Sequence, residues 1–325
     1  MADDQVREMT ESALNHLEVE LAARRSDGLK SLFDTMSKFP RNYSWKNDLL
    51  ISQQRPTATR LFTEETWNKV GRSINDSERP ITIVAPVFKQ DHDQAQTFTN
   101  PGVTAAKKDD VSRFEGFGPL DLYDIDQTHG MPLPESAKTT GNPKELADKL
   151  KAFATKQGIS VEYDKSIAPV MGASFGGKIR LLPDLQPPEE LSVLTHALAQ
   201  EMLHHRKDGD RFSEKAVETQ AQAVAYVVGR AVGLETNSVA ADYTHLYNGD
   251  KETLTESLSV IHETSLKILD RLLPEQHRSP FQEKSGKSPS DMPGHAQGET
   301  DRAHPTGLTP TAQGPDQSDS ISMER

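Results

Sequence analysis

The stretch PPEELSVLTHALAQEMLHH, Pro187 to His205, decides how the second half of this sequence is read. Two prolines followed by two carboxylates mark a helix start. Proline is tolerated in the first turn, and negative charge suits the positive end of the helix dipole. Leu191, Leu194, Leu198 and Met202 then recur at three- and four-residue steps, an apolar stripe that faces a core. His196 and Gln200 share a different face one turn apart, and His204 stands a further turn on.

Imidazoles at positions i and i+4 of a helix can hold zinc, and in the His-Glu-x-x-His motif of zinc peptidases the glutamate activates the bound water. Here the motif reads His196-Ala197-Leu198-Ala199-Gln200. A methyl group stands where the general base belongs, and a neutral amide, a poor zinc ligand, replaces the second imidazole. Shifting the frame by one turn gives Gln200-Glu201-Met202-Leu203-His204, which fails at the same glutamine. His196 and His204 are separated by roughly 12 Å of helix axis, too far to share one ion. Glu201 and His205 read as an ordinary i,i+4 salt bridge. His196 alone reads as a structural or partly exposed histidine. Glu218, at the start of the next predicted helix, is an acidic ligand in the right place, although carboxylates are common at helix starts for dipole reasons alone.

Composition narrows the function. The chain has 325 residues, a formal charge of -12 and only 34% hydrophobic residues, with a mean hydropathy of -0.66. That is enough chain for two domains and too polar for all of it to be packed. The charge argues against nucleic-acid binding by bulk electrostatics but leaves room for a local basic site. Without cysteine there are no disulfides and no thiolate metal sites, so a zinc site would need His, Asp or Glu. The first residues are polar and acidic, unlike the apolar core of a signal peptide, and no apolar run reaches membrane-spanning length. A soluble cytoplasmic protein is expected.

Hydrophobic periodicity predicts a helical region over Ala2–Lys38, helices over Ser44–Gln54 and Glu64–Val70 (Thr63 as N-cap), and a strand through Ile81, Ile83, Ala85 and Val87. Lys89 to Ser112 is polar and reads as a loop or hairpin excursion. Pro119 to Ile125 reads as a returning antiparallel strand. After a polar linker, a helix spans Pro143–Lys156, a strand holds Ile159, Val161 and Tyr163, and Gly176-Gly177 signals a hairpin before Ile179. Helices follow over Pro187–Arg206, Glu214–Val232 and Lys251–Leu273. From Pro274 to Arg325, Ser, Pro, Gly and charge replace large apolar residues, the composition of a disordered tail. The fold class expected is α+β: an α+β domain over 1–135, a linker over 136–142, a second domain over 143–273 and the tail over 274–325.

Residues Tyr43 to Val87, YSWKNDLLISQQRPTATRLFTEETWNKVGRSINDSERPITIVAPV, carry an aromatic-Ser-Trp-x-Asn helix, a Gln-x-Pro-x-Ala-Thr turn, a Thr-Trp-x-x-x-Gly-Arg segment and a strand ending in Ala-Pro. With LYDIDQTHGMPLPE, Leu122 to Glu135, these resemble the N-terminal domain of ArdC-type antirestriction proteins. Gly176 to Gly233 resembles the metallopeptidase-like domain paired with it, related to the ImmA/IrrE zinc peptidases. The resemblance spans about Met1 to Leu273. It implies an N-terminal domain that binds single-stranded DNA and a zincin-like second domain whose helix usually reads His-Glu-Leu-Ala-His. His196 is retained, while Ala197 and Gln200 depart from that pattern.

Base stacking needs aromatic faces and phosphate needs cations. Tyr43, Trp45 and Trp67 are candidates for the first role, and Lys46, Arg55, Arg60, Lys69 and Arg72 for the second. Asn47 is placed to cap, to bond a base or to satisfy backbone. The tryptophans also fall on helical patterns with apolar neighbours, which fits core positions at least as well. The expected function is single-stranded DNA binding of antirestriction type, beside a degenerate peptidase-like domain with no catalytic residues. His196 and Glu218 are the expected remnants of the metal site, with no cofactor or, alternatively, zinc. Two alternatives stay open: a zinc peptidase using His196, Glu218 and Glu201 or His204, and a pseudopeptidase that holds a peptide or protein partner without cutting it.

Overall fold

The computed structural model describes residues 2–90, 97–98, 112–133, 141–204, 212–234, 243–247 and 249–273. The expected tail, most of the linker and of the Lys89–Ser112 excursion, and His205 lie outside them. The architecture is α+β. In chain order come α1 (Ala2–Ala22), α2 (Asp27–Lys38), α3 (Trp45–Gln54), β1 (Leu61–Phe62), α4 (Glu64–Lys69), β2 (Arg72–Ile74), β3 (Ile81–Gln90), β4 (Thr97–Phe98), β5 (Ser112–Asp124) and β6 (Thr128–Gly130). Then follow α5 (Pro143–Lys156), β7 (Ser160–Tyr163), β8 (Gly172–Ser174), β9 (Lys178–Leu181), α6 (Pro187–His204), α7 (Glu214–Ala231) and α8 (Lys251–Leu272).

The first helical region is two helices, not one. Arg24 adopts a left-handed φ of 55°, which lets Arg25 N–H donate to Glu20 O and Arg24 N–H to Leu21 O, both at 2.9 Å. The carbonyls at the end of α1 are thereby satisfied. Asp27 then opens α2 with a carboxylate in its first turn. A Cβ at Gly28 would sit 2.1 Å from the Glu20 carboxylate, which would have to swing aside to admit it.

The main sheet has the order β1-β5-β3-β4. In the antiparallel β3–β5 ladder Ile81 faces Leu122 and Ile83 faces Leu120, and these four side chains are buried with Phe39, Tyr43 and Ile51. Helix α3 serves two cores. Ile51 enters the sheet core, while Trp45, Leu49 and Leu50 enter a larger helical core with α1, α2 and α5 to α8. The apolar residues of α3 therefore face two sides, beside the buried polar side chains of Asp48 and Ser52. The segments before 135 and after 143 therefore share packing. Two long-range contacts reinforce it: buried Arg41 donates from Nη2 to Leu269 O and places Nε 2.7 Å from Asp270, and His262 Nε2 donates to Tyr43 O at 3.2 Å. Burial pushes His262 down to about 4 and Asp48, 4.0 Å away, well up. His262 is therefore neutral in the folded protein near neutral pH.

The smaller sheet, β7-β9-β8, pairs β7 with β9 in parallel and β8 with β9 antiparallel. The expected Gly176-Gly177 hairpin is the β8–β9 turn, with φ of 68° and 86° at the two glycines. No helix among the described residues is long and apolar enough to cross a membrane.

The turn after α3 is fixed by one carboxylate. Asp124 is fully buried, and its Oδ1 accepts Thr59 N–H at 2.8 Å and Arg60 N–H at 2.9 Å. Gln127 Oε1 in turn accepts Asp124 N–H. Removing the acceptor strands two backbone donors, so Asp124→Ala is expected to cost about 3 kcal/mol and Asp124→Asn clearly less. Urea unfolding measures both; equal, sub-kilocalorie losses would contradict this role.

Candidate functional site

Helices α6 and α7 pack side by side through Leu194, Leu198, Ala221 and Val224, all fully buried. Their polar flanks meet at Glu218. His196 Nε2 lies 3.2 Å from Glu218 Oε1, Gln222 Nε2 donates to the same oxygen at 3.0 Å, and Gln200 Nε2 donates to Oε2 in a short hydrogen bond. His196, and then the amides of Gln222 and Gln200, hold the Glu218 carboxyl at about 2 despite partial burial. Thus the structure brings together His196, Gln200 and Glu218, the three positions that the spacing of α6 and the start of α7 single out.

The donor set does not fit a divalent cation. Gln200 turns an N–H donor, not a lone pair, toward the carboxylate. Among the described residues no three His, Asp or Glu side chains gather at one point. Ala197, where a water-activating glutamate would stand, is 2% exposed and packed in the core. His204 is exposed at the end of α6.

Glu201 holds a turn, while its expected pairing with His205 lies outside the described residues. It is fully buried, and its carboxylate accepts Ser174 Oγ at 2.7 Å, Phe175 N–H at 3.0 Å, Gly176 N–H at 2.9 Å and Gly177 N–H at 2.7 Å. Burial pushes its pKa up, but the donors of Gly177, Ser174, Phe175 and Gly176 outweigh that and hold it below the usual carboxylate range. The residue fastens the β8–β9 turn to α6. The Gly-Gly pair was the available signal, since two successive left-handed residues turn adjacent N–H groups into one anion-binding concavity.

The residues expected to meet DNA are placed as follows. Trp67 is fully buried and Tyr43 and Trp45 nearly so; the Trp67 indole donates to Tyr123 O at 2.9 Å. Asn47 bridges the β3 backbone, donating to Val84 O at 2.8 Å and accepting Val84 N–H at 2.9 Å. Arg72 donates to Thr128 Oγ1, Thr128 O and Met131 O, pinning β6. Arg55 is half-buried, 3.8 Å from Asp124 and 3.9 Å from Glu78. Lys46 is exposed and Arg60 half-buried. Lys69 is exposed and pairs with Glu65 at 2.6 Å.

Two crystal structures of the antirestriction protein ArdC from plasmid R388 superpose on this architecture, each with a TM-score of 0.50. The metal-free form is 13% identical and covers 81% of this chain and 97% of its own. The Mn(II)-bound form is 15% identical, with 82% and 99% covered. The chain has the ArdC fold. By sequence it is similar to an uncharacterized protein of Bacillus anthracis, 24% identical over 307 residues. That match takes in 83% of this chain, which spans about half the length of the relative (52%). No family model matches the chain. Within the ArdC fold, the crystallised neighbour has been seen with Mn(II), whereas the α6–α7 seam here is closed by amide hydrogen bonds.

Glu201→Ala would strand three buried backbone donors, an expected loss of about 3 kcal/mol. Hydrogen exchange should then speed up at residues 175–177 before the rest of the fold is affected. Unchanged protection there would remove Glu201 from this role.

Proposed function

We propose that this chain is an ArdC-type, antirestriction-class protein of the cytoplasm that binds single-stranded DNA and whose zincin-like half is catalytically silent. The observation that carries the reading is the α6–α7 seam, where Gln200 and Ala197 leave neither a complete ligand set nor a base within an ArdC fold. A peptidase using His196, Glu218 and Glu201 is disfavoured because the Glu201 carboxylate is committed to the β8–β9 turn. On this reading zinc is not required, and function resides in the segment before 135.

There, Lys46, Arg55 and Arg60 supply the cationic contacts, while Tyr43, Trp45, Trp67, Asn47 and Arg72 hold that surface rigid from beneath. Few phosphate contacts in a protein of charge -12 make for weak binding with a shallow salt dependence. A second reading, a peptide-holding surface, is favoured by Val170, Met171 and Phe175, each about half exposed beside the sheet-edge strand β8.

The test is anisotropy of a labelled single-stranded oligonucleotide at low and moderate salt. About three phosphate contacts give a log–log salt slope of about -2, and Lys46→Ala with Arg60→Ala should weaken binding and lower the slope by about 1. Absence of binding at low salt would overturn the reading.

A further inference from the structure

The outer end of the β3–β5 ribbon carries three aromatic rings, of which Phe114 is exposed. Phe88 faces Phe114 across the ladder, with ring centroids 5.8 Å apart, and Phe117 lies 5.4 Å from Phe114, both pairs edge to face. Phe114 is 51% exposed. In a regular strand residues 114 and 117 would project from opposite faces, because side chains alternate. The register shifts between Val87 and Phe88: Val87 pairs with Gly116 and Phe88 with Phe114, which leaves Glu115 as the extra residue. Gly116 accommodates the bulge with a φ of 135°. That one inserted residue puts Phe114 and Phe117 on the same side, and bulges characteristically re-aim side chains at working surfaces.

We propose that Phe114, supported by Phe88 and Phe117, is a stacking platform for a base of single-stranded DNA. Bases present π faces irrespective of sequence, and a half-exposed ring backed edge-on by two others is a preformed partner. Glu115 already has an interaction of its own. The inference rests on the single-stranded DNA reading above and adds the element that contacts bases, which no sequence motif identified.

The test compares an oligothymidine with an abasic oligonucleotide of equal length. Phe114→Ala should bind oligothymidine about tenfold more weakly than the unaltered protein, the effect of one lost stacking partner, and bind the abasic strand equally well. Phe114→Trp should retain affinity, with its added fluorescence quenched by oligothymidine. Unchanged binding by Phe114→Ala, or equal losses for both strands, would overturn the platform while leaving the DNA reading in place. Failure of the unaltered protein to bind either strand would overturn both.

Discussion

A carboxylate half-buried between two helices has to be matched by donors or by a cation, and Glu218 is matched by donors. Unpaired, it would carry a desolvation cost that the seam between α6 and α7 could not absorb. His196, Gln200 and Gln222 surround it, so the helices meet without an ion. Their apolar contact, through Leu194, Leu198, Ala221 and Val224, is indifferent to which solution is used. Here the fold shared with a protein that has been crystallised with Mn(II) is held at this seam by donors within the chain. What changes is the chemistry: an amide N–H answers the carboxylate but cannot coordinate a metal or deliver water.

The same logic governs the other half. The motifs that resemble the ArdC N-terminal domain prove to be framework. Asn47 clamps β3, Asp124 holds the turn after α3, Gln127 caps Asp124, and Arg72 pins β6. Polar side chains that each satisfy buried backbone groups tolerate little change, since every loss strands a donor or acceptor. This explains why the recognisable residues lie beneath the surface. In the function proposed above, the residues that contact DNA are less distinctive positions, Lys46 and Arg60 on the helix and turn, and Phe114 on the ribbon.

Much of the fold was legible because its signals are local. Period-3.6 stripes placed α3, α5, α6, α7 and α8, Thr63 caps α4 as its position suggests, and alternation placed β3 and the end of β5. The pairing of His196 with Glu218 was suggested by the peptidase-like architecture, in which the following helix supplies an acidic ligand, and not by spacing within one helix. Other features required distance information. Arg41 reaches Leu269 and His262 reaches Tyr43 over more than 200 residues, and no window of sequence contains both ends. The role of Glu201 in the β8–β9 turn was hidden because three of its donors, the 175–177 amides, belong to every sequence alike. The β3–β5 bulge was hidden for a related reason: whether Phe114 and Phe117 share a face depends on register, which alternation alone does not fix.

The central claim is that the Gln200 amide closes the α6–α7 seam and leaves it without a ligand set for a divalent cation. Calorimetric titration of Zn(II) and Mn(II) into the intact protein and into Gln200→His tests it most directly. The account predicts no stoichiometric uptake by the protein as it is, and one equivalent bound by Gln200→His, where His196, the new imidazole and Glu218 form a three-ligand set. One equivalent bound tightly by the unaltered protein, and lost in His196→Ala, would contradict it.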